Sequence, residues 1–328
     1  MEIRFKSSEC DAGELVKNFK QNFENKILEE IEYSKFNDGV VGTVKEIHLD
    51  QAYVVYQDYH NINIQDDDTL EVTHDHNVFL LQFVIDGELA CCLDGEANSS
   101  FTLRKNTYNL FYIPASNNLY KYSSKKKQVL NIYFLESYLQ SKMGYCFTQT
   151  LVEFQKAKKR KRPFAFFDEG LLLSIHLKNI IQDFLECSFE GTTKQSFLEA
   201  KLTELVLVSL MNNESEKEVS EISGVEKENL RRVEDYIQTH LKEELNISEL
   251  SLIAGLNTSK LKKSFKKVYG TTIFKYITFL RIEKAKELIL KEKYTISEAS
   301  YEVGYKNPQH FTVAFKKKLG YLPSQLKK

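Results

Sequence analysis

Near the carboxyl end of this 328-residue chain, two segments set hydrogen-bond donors and cations on the outer side of a helical repeat. In the first, Leu261, Phe265 and Val268 fall on one face and leave Ser259, Lys260, Lys262, Lys263 and Lys266 outward. In the second, Phe311, Phe315 and Leu319 make the apolar face, and Gln309, His310, Thr312, Val313 and Lys316 occupy the other flanks. Hydroxyl, amide, imidazole and ammonium groups on an exposed helix suit hydrogen bonding and charge pairing to a nucleic acid. The charge distribution points the same way. From Lys227 onward the chain holds 21 Lys and Arg against 11 Asp and Glu, whereas residues 1 to 226 hold 24 against 35. An asymmetry of this size marks a nucleic-acid-binding end, with a solvated lysine-rich helical domain as the alternative.

The elements that must position these side chains are written twice. Asn246-Ile247-Ser248-Glu249 is echoed by Thr295-Ile296-Ser297-Glu298, and Gly255 and Gly304 follow at the same distance. Phe265-Lys266-Lys267-Val268-Tyr269-Gly270 is then echoed by Phe315-Lys316-Lys317-Lys318-Leu319-Gly320. Each copy reads as a capped short helix, a glycine turn and a second helix with a basic outer face, which is a helix-turn-helix pattern. Asn246 with Glu249, and Thr295 with Glu298, have capping-box spacing. Between the copies, Ile273 to Lys291 is expected to be one long helix acting as a rigid spacer, and Leu230, Val233, Ile237 and Leu241 mark a helix before the first copy.

Residues 227 to 328 resemble the DNA-binding domain of the AraC family of bacterial transcription regulators. The resemblance is carried by Ile296-Ser297-Glu298-Ala299, Val303-Gly304-Tyr305, Asn307, His310-Phe311, Phe315-Lys316-Lys317 and Gly320 to Pro323. It implies that each second helix enters a major groove, the two lying about 34 Å apart along a double-stranded operator. By position, Ser259, Lys260, Lys262 and Lys263 then face bases in the first unit, as do Gln309, His310 and Thr312 in the second. Lysine suits guanine O6 and N7, and glutamine suits adenine N6 and N7. For any one lysine a phosphate contact serves as well, and Lys266, Lys267, Arg281, Lys316 and Lys317 are assigned to phosphate or solvent. Val313 stands where many family members carry arginine, and Pro308 opens the second helix where a polar residue is common. Both departures imply that the second unit contributes mainly shape and backbone contacts.

The amino-terminal half reads differently. Leu130, Ile132 and Phe134 alternate with Val129, Asn131 and Tyr133, and Val78 to Ile85 is apolar on both faces before the turn signal Asp86-Gly87. Short strands at this spacing suggest a sandwich or barrel. Helical stripes follow at Leu173, Leu177, Ile180, Ile181 and Phe184, and at Leu198, Leu202, Leu205 and Val206, forming a hairpin that packs within the chain or seams a dimer. The family resemblance implies a cupin-like, small-molecule-sensing barrel here, and the half-chain layout is similar to ferric-siderophore (pyochelin-type) regulators. His74-Asp75-His76 supplies the H-x-H of a cupin metal site. However, Leu80 replaces the expected glutamate and Leu119 the third histidine, so no metal is expected, and His74 and His76 are placed at the surface or a pocket rim. Tyr53, Phe83 and Tyr112, among many aromatics, are taken as effector-pocket residues with apolar bodies and polar handles. The run Lys156 to Arg162 is read as a solvated basic loop, with an anion-binding rim or extra DNA contact as alternatives.

These readings combine into an α+β chain. Residues 1–211 form a cupin-like sensor and dimerisation domain with a helical hairpin at about 168–211. Residues 212–226, polar and acidic, form a linker, and 227–328 form an all-α domain with helix-turn-helix units at about 246–270 and 295–320. Cys10, Cys91, Cys92, Cys146 and Cys187 are odd in number and lack a C-x-x-C pair, which argues against a disulfide framework or zinc cluster and fits the cytoplasm. No stretch approaches the roughly 18 apolar residues of a membrane span, and the opening MEIRFKSSEC has no signal-like apolar core. The expectation is a ligand-responsive DNA-binding activator, not an enzyme, without a cofactor. Its partners are operator DNA, an unidentified small-molecule effector, RNA polymerase and a second copy of itself. A metal-dependent cupin enzyme fused to a DNA-binding domain, or a constitutive regulator whose first half only dimerises, are the alternatives.

Overall fold

A computed structural model describes residues 1–7, 14–20, 23, 27–34, 40–61, 68–92, 100–122, 126–144, 146–149, 151–168, 170–211 and 222–327. They divide into a first unit, Met1–Leu173 with Leu177–Met211, and a second, Asn212–Lys328 with Ser174–His176.

The strands of the first unit are β1 (Glu2–Ser7), β2 (Glu14–Asn18), β3 (Glu29–Tyr33), β4 (Val40–Leu49), β5 (Ala52–Asn61), β6 (Asp68–His74), β7 (Val78–Asp86), β8 (Leu89–Cys92), β9 (Ser100–Leu103), β10 (Thr107–Ile113), β11 (Ser116–Tyr122), β12 (Lys126–Phe134), β13 (Phe164–Ala165) and β14 (Leu171–Leu172). They pair antiparallel in two sheets. One runs β2-β1-β6-β11-β8-β9, and the other runs β13-β10-β7-β12-β5-β4-β3 with β14 beside β10. Among the described residues the two paths are not hydrogen-bonded to each other; they face one another as a sandwich, the strand-rich amino-terminal half of the expected α+β chain. Ile3, Val72, Leu89 and Tyr120 from the first sheet meet Tyr53, Leu80, Phe111 and Tyr133 from the second in one core.

The second sheet is buried on its other face too, which explains why β7 is apolar throughout. Val78, Leu80 and Val84 point between the sheets, while Phe79, Leu81 and Phe83 enter a second core. That second core is closed by helices α1 (Glu136–Met143), α2 (Cys146–Gln149), α3 (Val152–Lys159), α4 (Ile175–Leu185) and α5 (Gly191–Met211). Leu177, Ile180, Ile181 and Phe184 of α4 and Leu198, Leu202, Leu205 and Val206 of α5 all lie in it, so both stripes are covered within their own unit. Leu173, read as the start of the first stripe, precedes α4; it is buried and its amide donates to Asn106 O at 2.8 Å.

The second unit comprises α6 (Gly224–Thr239), α7 (Ile247–Ala254), α8 (Thr258–Tyr269), α9 (Ile273–Leu290), α10 (Ile296–Glu302), α11 (Pro308–Leu319) and a closing 3-10 turn, Pro323–Lys327. Ser223 caps α6 by accepting from Glu226 N at 3.2 Å, so this helix starts within the stretch assigned to the linker, of which 212–221 lies outside the described residues. The capping-box expectation holds in full for Thr295 and Glu298, whose amides and side chains bond reciprocally at 2.8 and 3.2 Å. In the first copy Asn246 accepts from Glu249 N at 2.8 Å, but the Glu249 carboxylate accepts from Tyr236 Oη at 2.6 Å, tying α7 to α6 instead of completing the box. In α6 the buried Glu234 accepts from the Tyr276 hydroxyl of α9, which stitches two helices through the core.

His74 corrects one expectation. It is 2% exposed between the sheets, because its place on β6 shares the inward parity of Leu70 and Val72. Its ring lies 5.8 Å from that of Tyr133, and its Nε2 has no hydrogen-bond partner among the described residues. His76, beyond the strand, is exposed, with Nδ1 2.8 Å from Asp75. Burial pushes the His74 pKa down to about 4. The native state therefore holds His74 neutral where the unfolded chain, titrating near 6.5, binds a proton. Stability from this group is complete above about pH 6.5 and is lost as pH falls toward 4, by on the order of 3 kcal/mol. Urea titrations at pH 7 and pH 5 should show a loss in the wild type that shrinks in His74→Gln; an equal loss in both would remove His74 as the cause.

Candidate nucleic-acid interface

Helices α8 and α11 are each held by an apolar face and show a polar one. In α8, Leu261, Phe265, Val268 and Tyr269 are buried. Asn257 accepts from Lys260 N at 2.8 Å to start the helix, and Gly270, at φ 69°, ends it. Ser259, Lys260, Lys262, Lys263 and Lys266 are exposed, and Lys267 is half-buried. In α11, Phe311 and Phe315 are buried, Asn307 accepts from Gln309 N at 2.8 Å, and Gly320, at φ 83°, closes the helix. Pro308 sits in the first turn, where its fixed φ and missing N–H suit helix initiation, so it strengthens the start of α11. Gln309, His310, Val313, Lys316 and Lys317 are exposed.

Within these faces three side chains differ from their expected parts. Lys260 Nζ lies 3.0 Å from Glu226 Oε2, and the same carboxylate accepts from the Ser264 hydroxyl. The Ser264 hydroxyl and the Lys260 ammonium together hold the Glu226 carboxyl below its usual range, so Lys260 is partly neutralised by α6. Thr312 is half-buried and its Oγ1 donates to Pro308 O at 2.9 Å, which engages the hydroxyl proton within its own helix. Arg281, assigned to phosphate, faces inward. Its Nε donates to Leu241 O at 2.9 Å, Nη1 to Gly304 O at 3.2 Å and Nη2 to Glu243 O at 2.7 Å, and the guanidinium lies 5.7 Å from the Tyr305 ring centre. Burial lowers its pKa, and the carbonyl fan leaves few donors for a phosphate.

Arg281 joins the segment after α6, the middle of α9 and the turn after α10. Gly304 completes that junction. At φ 88° it adopts a conformation that L side chains avoid, and a Cβ there would meet Leu241 O at 2.6 Å and Lys242 O at 2.7 Å. Helix α9, at 18 residues about 27 Å long, packs against both α8 and α11 and so spaces the two units. The sequence signal for the clamp was Gly304 itself, whose close backbone neighbours only the tertiary structure reveals.

In the first unit the pocket residues do not converge. Tyr53 lies between the sheets, with Phe19 and His48 ring centres each 4.8 Å away, whereas Phe83 and Tyr112 belong to the core on the opposite face of the same sheet. Tyr112 packs on Phe154 at 5.3 Å and Phe83 on Tyr108 at 5.3 Å. The basic run is not a loop: α3 extends through Lys159, and Arg162 N donates to Ala157 O at 2.9 Å around Lys161 at φ 52°. Lys156 pairs with Glu153 at 2.7 Å and Lys158 with Glu136, while Lys159, Arg160, Lys161 and Arg162 are exposed. Among the described residues no group of three or more His, Cys, Asp and Glu could hold a metal ion, and no helix is long and apolar enough to cross a membrane.

The clamp generates two expectations. Gly304→Ala should lower unfolding free energy by about 1–3 kcal/mol or more, read by urea denaturation, because strain and backbone overlap add. Arg281→Lys, which keeps the charge but loses the planar fork, should also destabilise, by about 1–3 kcal/mol. A phosphate-only role would leave its stability unchanged.

A family model described as a helix-turn-helix domain matches residues 250–328. The HTH-type transcriptional regulator in the cgkA 5' region of Pseudoalteromonas carrageenovora is 37% identical over 93 residues, covering 28% of this chain and 55% of that protein. The virulence regulon transcriptional activator VirF of Yersinia enterocolitica is 22% identical over 229 residues, 70% of this chain and 83% of that protein. The solved C-terminal domain of AraT, a response regulator from Geobacillus stearothermophilus, aligns with 30% identity at a TM-score of 0.30, covering 32% of this chain and 85% of that one. The chain spans about half the length of the first of these relatives. Residues 250–328 are a helix-turn-helix domain of the AraC type.

Proposed function

We propose that this chain is a sequence-specific regulator of transcription that binds double-stranded operator DNA through α8 and α11. The observation that carries the reading is the duplicated, independently capped pair of helices, each seated on buried aromatic or aliphatic residues and each showing exposed donors. Lys262 and Lys263 are the base-reading cations of the first unit and Gln309 and His310 the donors of the second, with Lys266, Lys316 and Lys317 on flanking phosphates. Ser259 joins the first set as an exposed hydroxyl at the start of α8. Lys267, half-buried, adds to the positive field around α8. VirF, described as an activator, supports activation as the sign of regulation; RNA polymerase is the partner this reading assigns to such an activator. The first unit serves as sensor and dimerisation module for a small-molecule effector in the cytoplasm. Such an effector would act by shifting the population of a DNA-competent state. The reading assigns the chain no catalysed reaction.

The test is selection of duplexes from a random-sequence pool by the full chain, followed by titration against salt. A preferred duplex should emerge. Lys263→Ala should cost about 1–3 kcal/mol on it and relax preference at one base pair. Lys266→Ala should weaken all duplexes alike and reduce the salt slope by about 1. No preference over random competitor at moderate salt would overturn the assignment.

A further inference from the structure

We propose that Val313 is a specificity-determining residue that reads the C5-methyl group of a thymine, so that the two units recognise chemically different steps of one operator. The inference rests on the carboxy-terminal unit being a DNA reader. The internal repeat aligns Asn257 with Asn307, Leu261 with Phe311, Phe265 with Phe315 and Gly270 with Gly320 at one constant offset, which places Val313 opposite Lys263. Both stand at the centre of their helix's outer face, but one is a cation and the other a branched hydrocarbon.

Val313 is 67% exposed, so it contributes little to the core that Phe311 and Phe315 build from the same helix. Valine is also a poorer helix former than most residues, and local stability gives no reason for it at an exposed central position. Its neighbours one turn away on that face are Gln309 and His310 before it and Lys316 and Lys317 after it, all exposed. An apolar, rotamer-locked side chain bounded by hydrogen-bond donors and phosphate-seeking cations complements one feature of the major groove. The thymine methyl is the apolar group on its base edges, and Gln309, one turn away, suits the adenine of an A·T pair. Thr312, its neighbour, is half-buried with its hydroxyl proton bonded to Pro308 O, so Val313 is the more exposed of the two at the centre. Lys263 in the first unit suits guanine by the same geometry, so a two-part operator of unequal base content follows.

The test uses the full chain and the duplex it selects from a random pool. Each thymine of the second half-site is replaced singly by deoxyuridine, which removes the methyl and keeps every hydrogen-bonding group. At one thymine the replacement should weaken wild-type binding by about 3- to 10-fold. Val313→Ala should bind the thymine duplex more weakly by a similar factor and fail to distinguish thymine from uracil there, with its thermal midpoint unchanged. Val313→Thr, which keeps a methyl group, should retain the discrimination. If Val313→Ala binds as the wild type does, or still prefers thymine at that position, the inference is overturned. If no duplex is selected at all, the reading beneath it has failed instead, and the two failures are distinct.

Discussion

The guanidinium of Arg281, spread over the carbonyls of Leu241, Glu243 and Gly304, is the contact on which the second unit turns. Those carbonyls belong to helix ends and turns, where backbone acceptors lack helical partners. A single planar group with several donors satisfies them together and fixes the loop after α6 against the loop after α10. Gly304 lets the strands of backbone approach closely enough for this, since any Cβ would intrude on Leu241 O and Lys242 O. The long helix α9 carries Arg281 and also contacts α8 and α11, so the orientation of both outer faces is referred to one rigid rod.

Charge and burial are arranged so that the exposed cations have little to do for stability. Buried phenylalanines and leucines seat the helices, and asparagine caps and αL glycines set their ends. Lys262, Lys263, Lys266, Lys316 and Lys317 are then left in solvent, where like charges repel weakly under screening. The exception is Lys260, which answers to Glu226 of α6. The first unit inverts this economy: its polar groups go inward. Gln82 donates to Asn131 at 2.9 Å between strands, and His74 is enclosed between the sheets. Burying polar groups costs free energy unless they are hydrogen-bonded, and the Gln82–Asn131 bond offsets part of that cost inside the first unit.

Local grammar made most of the second unit legible. Asn246, Thr295, Gly255 and Gly270 announce helix ends through backbone hydrogen bonds within a few residues, and apolar spacing reports which face is covered. The alternation around Leu130 and the doubly apolar Val78 to Ile85 likewise announced strands of a covered sheet. Where reading failed, the deciding partner was remote in sequence. Arg281 finds its acceptors 23 to 40 positions away, and Tyr236 draws the Glu249 carboxylate out of its expected box from 13 positions away. The expectation of His74 at the surface or a pocket rim fails because H-x-H spacing says nothing about which strand parity faces a second sheet.

The repeat, the caps and the outward faces of α8 and α11 are legible in the residues alone, because each depends on neighbours within a turn or two of chain, and the charge division is a sum over the chain that needs no fold. The folded arrangement alone makes Arg281 an internal clamp and puts a sheet between Tyr53 and the pair Phe83 and Tyr112. The same arrangement covers both helical stripes of the first unit with their own core. These depend on which surfaces meet after the chain has folded back over long distances, and periodicity, which records that a face is buried, carries no label for what buries it.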